Sequence, residues 1–203
     1  MLMLRLAKIV KSNSHVDYVG RVIDVLDTDA PPGSADYGFA QFVSIPLEDE
    51  QEVIGVIYNS LLANPDYGNY GPRLSPAADL SVLSPDYLNE QGVLVGILLL
   101  GWREGSGSQA VTHHAVPRRV IPVNQDIYRL SDEEMQKFHT DPDGQVQLHY
   151  YSQIITHAGP FAVSLIEAIL EQLEPACAPA DRQRLCVLKG ALMWQRTVGG
   201  MRL

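Results

Sequence analysis

The apolar stretch from Gly92 to Trp102, GVLVGILLLGW, decides how this chain folds. It is about half as long as the roughly 20 apolar residues that a membrane-spanning helix needs. Its aliphatic and β-branched residues predict a buried strand, and Gly96 and Gly101 inside it predict a bulge or a sharp bend. A strand that bends in this way belongs to a sheet that curves back on itself.

Five earlier segments have the apolar or alternating pattern of strands: Met1–Val10, Tyr18–Asp27, Phe39–Leu47, Val53–Tyr58 and Leu80–Val82. The acidic turn Glu48–Glu52 predicts a hairpin between two of them. Connections rich in proline and glycine occur at Thr28–Gly38 and Ala63–Asp79. Short strands joined by turns, without a long helix between them, predict a small antiparallel β-barrel over residues 1–130. A β-sandwich is the alternative.

Three helices are predicted in the C-terminal region, residues 131–203: Asp132–His139, Phe161–Glu174 and Arg182–Arg196. The first begins at a capping box, in which the Ser131 hydroxyl accepts from the third helical N–H and Glu134 reaches back to the cap. The second follows Gly159-Pro160, since proline is tolerated at the first helical position. Gln145–Ile155 is predicted as a last strand. The predicted fold class is therefore α+β, a barrel followed by a helical region.

The charge of the chain limits its partners. The 203 residues carry 24 acidic and 15 basic side chains, a formal net charge of −9. Between Asp24 and Glu90 there are twelve acidic residues and a single base, Arg73. This stretch would repel a phosphate backbone, so direct binding of nucleic acid is not expected. With two cysteines and no apolar run of membrane-spanning length, the sequence predicts a soluble, cytoplasmic protein.

Several motifs resemble those of a known barrel family: GRVID at residues 20–24, VIGVIY at 53–58, LSVL at 80–83 after a proline-rich insert, and GVLVG at 92–96. Together they look like the HAS barrel, the small N-terminal β-barrel of HerA-type DNA-translocating ATPases and of rotary ATP synthase subunits. The similarity continues into Pro122–Leu130, which resembles the linker toward the HerA motor. It implies a role in contacts between ring subunits and in docking a partner such as a nuclease.

The phosphate-binding loop of such motors, GxxxxGK[ST], is missing from this sequence. The only neighbouring glycine and lysine, Lys189-Gly190, stand in the reverse order. ATP hydrolysis is therefore not implied. The resemblance instead implies a noncatalytic interaction or assembly module that serves a DNA-processing ATPase or nuclease on another chain.

Two groups of residues are candidates for contact with other molecules: Tyr67, Tyr70 and Arg73 in the loop Ala63–Asp79, and the cationic residues His113, His114, Arg118 and Arg119. Tyrosine is favoured at interfaces because it buries a large ring and keeps a polar tip. Packing within the loop and ordinary surface histidines are the simpler interpretations. In the alternative functional hypothesis, the barrel mouth and the segment His113–Arg119 bind a small ligand or form an enzyme site.

No catalytic, cofactor or metal site is predicted. Five of the six histidines lie between His113 and His157, but their spacing is not that of a zinc site. There is no Gly-x-Ser-x-Gly elbow, and the turn Glu48–Glu52 lacks the spaced oxygen ligands of a calcium loop. Self-association is expected if the apolar face of Phe161–Glu174 is not fully covered, whereas core packing is the other interpretation of that face.

Overall fold

The computed structural model describes residues 3–64, 92–105, 110–177, 181–187 and 189–190. The candidate residues Tyr67, Tyr70 and Arg73 lie outside the described residues, as does the predicted strand Leu80–Val82. Among the helices that are described, none combines the length and the apolar character needed to cross a membrane.

Seven strands and three α-helices form the described part of the fold. The strands are β1 (Arg5–Ser12), β2 (Asp17–Val22), β3 (Phe42–Pro46), β4 (Gln51–Ala63), β5 (Gly92–Glu104), β6 (Val111–His113) and β7 (Asp126–Arg129). The helices are α1 (Asp132–His139), α2 (Tyr151–His157) and α3 (Ala162–Leu173), with 3-10 turns at Gly159–Phe161 and Glu174–Ala176. Residues 181–187 and 189–190 are also helical, and apart from Asp181 they fall within the predicted last helix, Arg182–Arg196. The α+β class is confirmed.

Six strands close into an antiparallel barrel, as the sequence predicts. The sheet order is β2-β1-β7-β3-β4-β5, and β5 pairs with β2 to complete the ring. This last pairing, from Asp17 opposite Leu98 to Arg21 opposite Leu94, joins the two ends of the sheet. The open alternative, a sandwich, is therefore wrong. The short strand β6 extends the sheet beside the end of β5.

The helices cover one side of the barrel. All residues of β3 from Phe42 to Ile45 are buried, and so is the central part of β4 from Val53 to Ile57. A strand is buried on both faces when one face lines the core and the other lies beneath a second layer. In β1, by contrast, Lys8 and Val10 on one face are exposed. Barrel and helices share one continuous hydrophobic core.

The two glycines of β5 stand where the strand is irregular. The register between β4 and β5 shifts beside Gly96 and beside Gly101, so the predicted bends are present. At Gly101 the neighbouring backbone comes closer than at the other glycines of the described residues, because a Cβ atom there would lie 2.0 Å from the carbonyl oxygen of His113. Only a residue without a side chain lets β6 and the segment after it lie this close to β5.

The predicted hairpin between β3 and β4 is present, with Pro46 opposite Glu52. At its tip, Asp49 and Glu50 both have left-handed backbone conformations, with φ of 62° and 54°. Two consecutive positive φ angles define the turn type whose twist matches a hairpin, and glycine is the residue that adopts them without strain. The acidic turn therefore carries conformational strain at Glu50.

Substitution Glu50→Gly is expected to raise the free energy of unfolding by about 1 kcal/mol, because it removes the cost of a left-handed conformation for a residue with a side chain. Urea denaturation followed by circular dichroism would measure the change. Glu48→Gly is the control, since Glu48 does not have a positive φ and should gain no stability. Equal effects of the two substitutions would contradict the prediction.

Two sequence predictions are changed by the structure. Part of Pro122–Leu130, which resembles a linker, forms strand β7, and this strand completes the ring between β1 and β3. The predicted strand Gln145–Ile155 is wrong: it contributes a single bridge at Val146, and α2 begins at Tyr151. The physical reason is the spacing of its buried residues, since Tyr150, Ile154 and Ala158 are four apart and therefore face the core as one side of a helix.

Helix α1 begins as predicted, but only half of the capping box forms. The Ser131 hydroxyl accepts a hydrogen bond from the Glu134 N–H at 3.3 Å. The Glu134 carboxylate forms ion pairs with Arg103 and Lys137 instead of returning to the cap. Because Arg103 also binds Glu52 of β4, this guanidinium ties the first turn of α1 to the barrel.

The apolar face of α3 is buried in the core. Of the two interpretations of that face, core packing is therefore the one that the structure shows.

Candidate functional site

Residues 114–125, called here the crossing segment, join β6 to β7 without regular secondary structure. They lie against the end of the barrel at which β1 turns into β2 and β3 turns into β4. The contacts are the His15 ring with the Pro117 carbonyl at 2.7 Å, the Ile121 N–H with the Tyr18 hydroxyl at 3.2 Å, the Asn124 N–H with the Ile9 carbonyl at 2.8 Å, and Arg119 with Asp49 at 3.1 Å. These contacts hold the segment in one position.

The crossing segment presents apolar side chains to solvent. Within the segment, Pro117 and Ile121 are buried. Val116, Val120 and Val123 are exposed by 44%, 69% and 60%. Ordered loops that expose a run of apolar residues are typical of contact surfaces between proteins.

The four residues predicted as a cationic patch are placed in four different environments. His113 stacks on Trp102, with ring centroids 4.8 Å apart. His114 turns toward the helices, where its Nε2 atom lies 2.8 Å from the Phe138 carbonyl oxygen. Arg118 is exposed, and Arg119 forms an ion pair with Asp49. The four side chains therefore do not converge on a common position for a ligand.

His114 belongs to a buried aromatic cluster with Phe138, His139 and Tyr150. Its ring centroid lies 4.4 Å from that of Phe138 and 5.0 Å from that of Tyr150. In His139, Nδ1 lies 2.7 Å from the Met135 carbonyl oxygen, and Nε2 lies 2.5 Å from the Tyr150 hydroxyl. Since a carbonyl oxygen only accepts, Nδ1 carries the proton and Nε2 accepts from Tyr150. Both nitrogens of His139 are thus occupied by the protein itself.

Burial keeps the members of this cluster neutral. It lowers the pKa of His139 to about 3 and that of His114 to about 4, and it raises the pKa of Tyr150 well above its ordinary value. The cluster joins the start of the crossing segment to α1 and to the residue before α2. The cluster therefore has a structural role, since it connects these three parts of the chain. The sequence showed that the histidines are close together in the chain, but it did not identify Tyr150 as a buried residue. The four-residue spacing between Tyr150 and Ile154, typical of one face of a helix, could have indicated it.

The structure offers little room for a small molecule near the helices. An apolar cavity between α2 and α3, lined by Leu148, Ile154 and Ile166 among others, has a volume of about 10 Å³, which is enough for about one water molecule. Within the described ranges, no three His, Cys, Asp or Glu side chains are arranged to hold a metal ion.

A second exposed feature, called here the aromatic pair, consists of Phe39 and Phe161. The two rings lie 6.1 Å apart between centroids and are exposed by 47% and 40%. Phe39 precedes β3 and Phe161 precedes α3, so the pair spans the boundary between barrel and helices. Large aromatic residues that stay exposed next to one another are uncommon, because burying them is favourable.

The backbone beside Phe39 is fixed in a costly conformation. Ala40 has a φ of 65°, which is unfavourable for a residue with a side chain. Its N–H donates to the Ile57 carbonyl at 2.8 Å, and its carbonyl accepts from the Gln172 side chain at 3.0 Å. These bonds hold the residue that follows Phe39, so the exposure of the ring does not result from a loose loop. Phe39 was not predicted as a contact residue, because a lone phenylalanine in a sequence suggests the core. Phe161 was included only as the first residue of the helix Phe161–Glu174, whose apolar face was a candidate for self-association.

Comparison with known proteins places the chain in a family. A family model described as "Domain of unknown function (DUF8166)" matches residues 2–202, and the chain belongs to this family. The match spans both the barrel and the helices. No curated protein matches the sequence.

Proposed function

We propose that this member of the DUF8166 family is a noncatalytic interaction and assembly module. The observation that carries the proposal is the aromatic pair, Phe39 and Phe161, held in an exposed position at the boundary of barrel and helices. Aromatic residues at the centre of an interface contribute much of the binding free energy, because burial of each ring removes a large apolar area from water. A partner that covers both rings would contact the barrel and α3 together.

The resemblance to the HAS barrel supports a partner among DNA-processing proteins. The motifs GRVID, VIGVIY and GVLVG contribute to β2, β4 and β5. These three strands are neighbours in the ring, because β5 pairs with both β2 and β4. We propose a HAS-like barrel whose partner is a HerA-type ATPase or a nuclease on another chain. The acidic composition of the chain favours a protein partner over nucleic acid itself.

The alternative, a ligand binder or enzyme at the barrel mouth, has less support. The crossing segment lies over that end of the barrel, and its own Ile121 is buried there. His113 and His114 contact different groups, Trp102 and the buried aromatic cluster. A shared binding site would require these side chains to face one space.

The double substitution Phe39→Ser/Phe161→Ser is expected to weaken binding to the partner ATPase or nuclease at least tenfold, because it removes two aromatic rings from the contact. Calorimetric titration of the purified proteins would measure the affinity. Val25→Ser is the matched control, since Val25 is exposed by 76% in a turn without such a ring contact. Unchanged affinity of the double variant, with an unchanged thermal unfolding curve, would contradict the proposed surface.

A further inference from the structure

Opposite charges lie side by side where the crossing segment meets the β3–β4 turn. Arg119 contacts this turn twice, through Asp49 Oδ2 at 3.1 Å and through the Glu48 carbonyl oxygen at 3.4 Å. The side chains of Arg119 and Asp49 are exposed by 49% and 77%. An ion pair as exposed as this one contributes little to folding, because water screens it. Its partners can therefore be exchanged for others at low cost.

Two further charges flank this pair. Arg118 precedes Arg119 in the crossing segment, and Glu48 precedes Asp49 in the turn. Both are exposed, and neither side chain forms an ion pair with another residue of the described ranges. One cation and one anion on the same surface are thus available to a second molecule.

The apolar side chains of the crossing segment accompany these charges. Val116 and Val120 lie on either side of the two arginines in sequence, and Val123 follows three residues later. All three are exposed. The surface therefore combines exposed apolar side chains with a basic group and an acidic group, which is the composition of an interface core with a polar rim.

From this arrangement we infer that the crossing segment and the β3–β4 turn bind a second copy of the same chain across a two-fold axis. In such an interface the same patch serves both copies, so each group must find its complement within the patch. Arg118 of one copy forms an ion pair with Glu48 of the other, and the two-fold axis generates a second, identical ion pair with the copies exchanged. The valines of the two copies pack between these ion pairs.

The mixture of charges favours a second copy over other occupants. An acidic peptide would be attracted by Arg118 but repelled by Glu48 and Asp49, and a basic peptide would meet the opposite conflict. A partner with both signs in matching positions is needed, and the same surface rotated by 180° supplies them. The inference rests on the proposed assembly role, but it concerns a surface other than the aromatic pair.

Charge reversal tests this interface directly. Size-exclusion chromatography with light scattering should show a dimer for the natural chain. Arg118→Glu and Glu48→Arg should each weaken dimerisation at least tenfold, because each variant opposes like charges across the two-fold axis. An equimolar mixture of the two variants should restore a dimer that contains one copy of each, since both ion pairs then form, one with its natural signs and one with reversed signs. Asp143→Arg, a reversal at an exposed position elsewhere, should leave the dimer intact.

Three results would overturn the inference: a natural chain that stays monomeric at the highest concentration reached, single variants that dimerise normally, or a mixture that fails to recombine. The Phe39→Ser/Phe161→Ser variant separates this inference from the proposed function. It should dimerise like the natural chain while losing its partner. A dimer without binding of the ATPase or nuclease would count against the proposed partner alone, and a monomer that binds one of them would count against the dimer alone.

Discussion

Substitution Gly101→Ala is expected to lower the free energy of unfolding by about 3 kcal/mol or more. The added Cβ atom would lie 2.0 Å from the carbonyl oxygen of His113 and 3.1 Å from its carbonyl carbon. Both atoms belong to the backbone, so no side-chain rotation relieves the overlap, and β6 must move away from β5. Overpacking of this kind commonly costs 1 to about 3 kcal/mol, and more where the backbone itself is displaced.

The displacement should spread beyond β6. His114 follows directly and anchors the crossing segment to the aromatic cluster of the helices. Thermal unfolding and urea denaturation would measure the loss. Gly92→Ala is the control in the same strand, because a Cβ atom there lies 3.4 Å from the nearest atom, Arg21 Nε, an ordinary contact. A Gly101→Ala protein as stable as Gly92→Ala would contradict the close approach of β6.

Acidification is expected to destabilise the fold steeply between pH 6 and pH 4. In the unfolded chain a histidine takes up its proton near pH 6.5, whereas burial lowers the pKa of His114 to about 4 and that of His139 to about 3. Between these values the unfolded state binds more protons than the folded state, so the stability present above pH 6.5 is lost as the pH falls. Each histidine contributes up to about 1.4 kcal/mol per pH unit, so the pair contributes about 2 to 3 kcal/mol per unit near pH 5.

Urea denaturation at several pH values would measure this slope. Three titratable groups surround the His114 ring, namely His139, His149 and the Tyr150 hydroxyl, and none of them is an anion at these pH values that could stabilise an imidazolium. Substitution His139→Gln lowers the stability itself, yet it should also remove about half of the slope. His157→Gln is the control, since His157 is exposed. If both His139→Gln and His157→Gln leave the pH dependence of stability unchanged, the proposed burial of His139 in the cluster is contradicted.

The local pattern of the sequence was sufficient for most strands and for the start of α1. The continuous apolar runs of β4 and β5 indicated burial on both faces, and Gly96 and Gly101 indicated where β5 bends. The signal of β7 was weaker, because its four residues include Asp126 and Arg129, whose charges are accommodated at the barrel surface. The helical spacing from Tyr150 to Ala158 was not recognised, because the overlapping segment Gln145–Ile155 also has a pattern typical of a strand.

The candidate site depended more on contacts between residues far apart in the chain. The sequence placed His113, His114, Arg118 and Arg119 together, but the structure separates them into a stacked ring, a half-buried ring among the aromatic residues of the helices, an exposed cation and an ion pair. Arg119 and Asp49 are neighbours only because the crossing segment lies against the β3–β4 turn. Phe39 and Phe161 are far apart in the chain, and their rings meet only in the folded structure.

By itself, the sequence determined that the first part of this chain is a curved antiparallel sheet and the rest helical, since strand and helix periodicity, turn residues and glycine bends act over a few neighbouring residues. Only the tertiary structure decided which polar and aromatic side chains are buried and which face water. That choice depends on the closure of β5 onto β2 and on the packing of the helices over β3 to β5. Desolvation and ion pairing arise from neighbours in space, and local sequence patterns do not specify those neighbours.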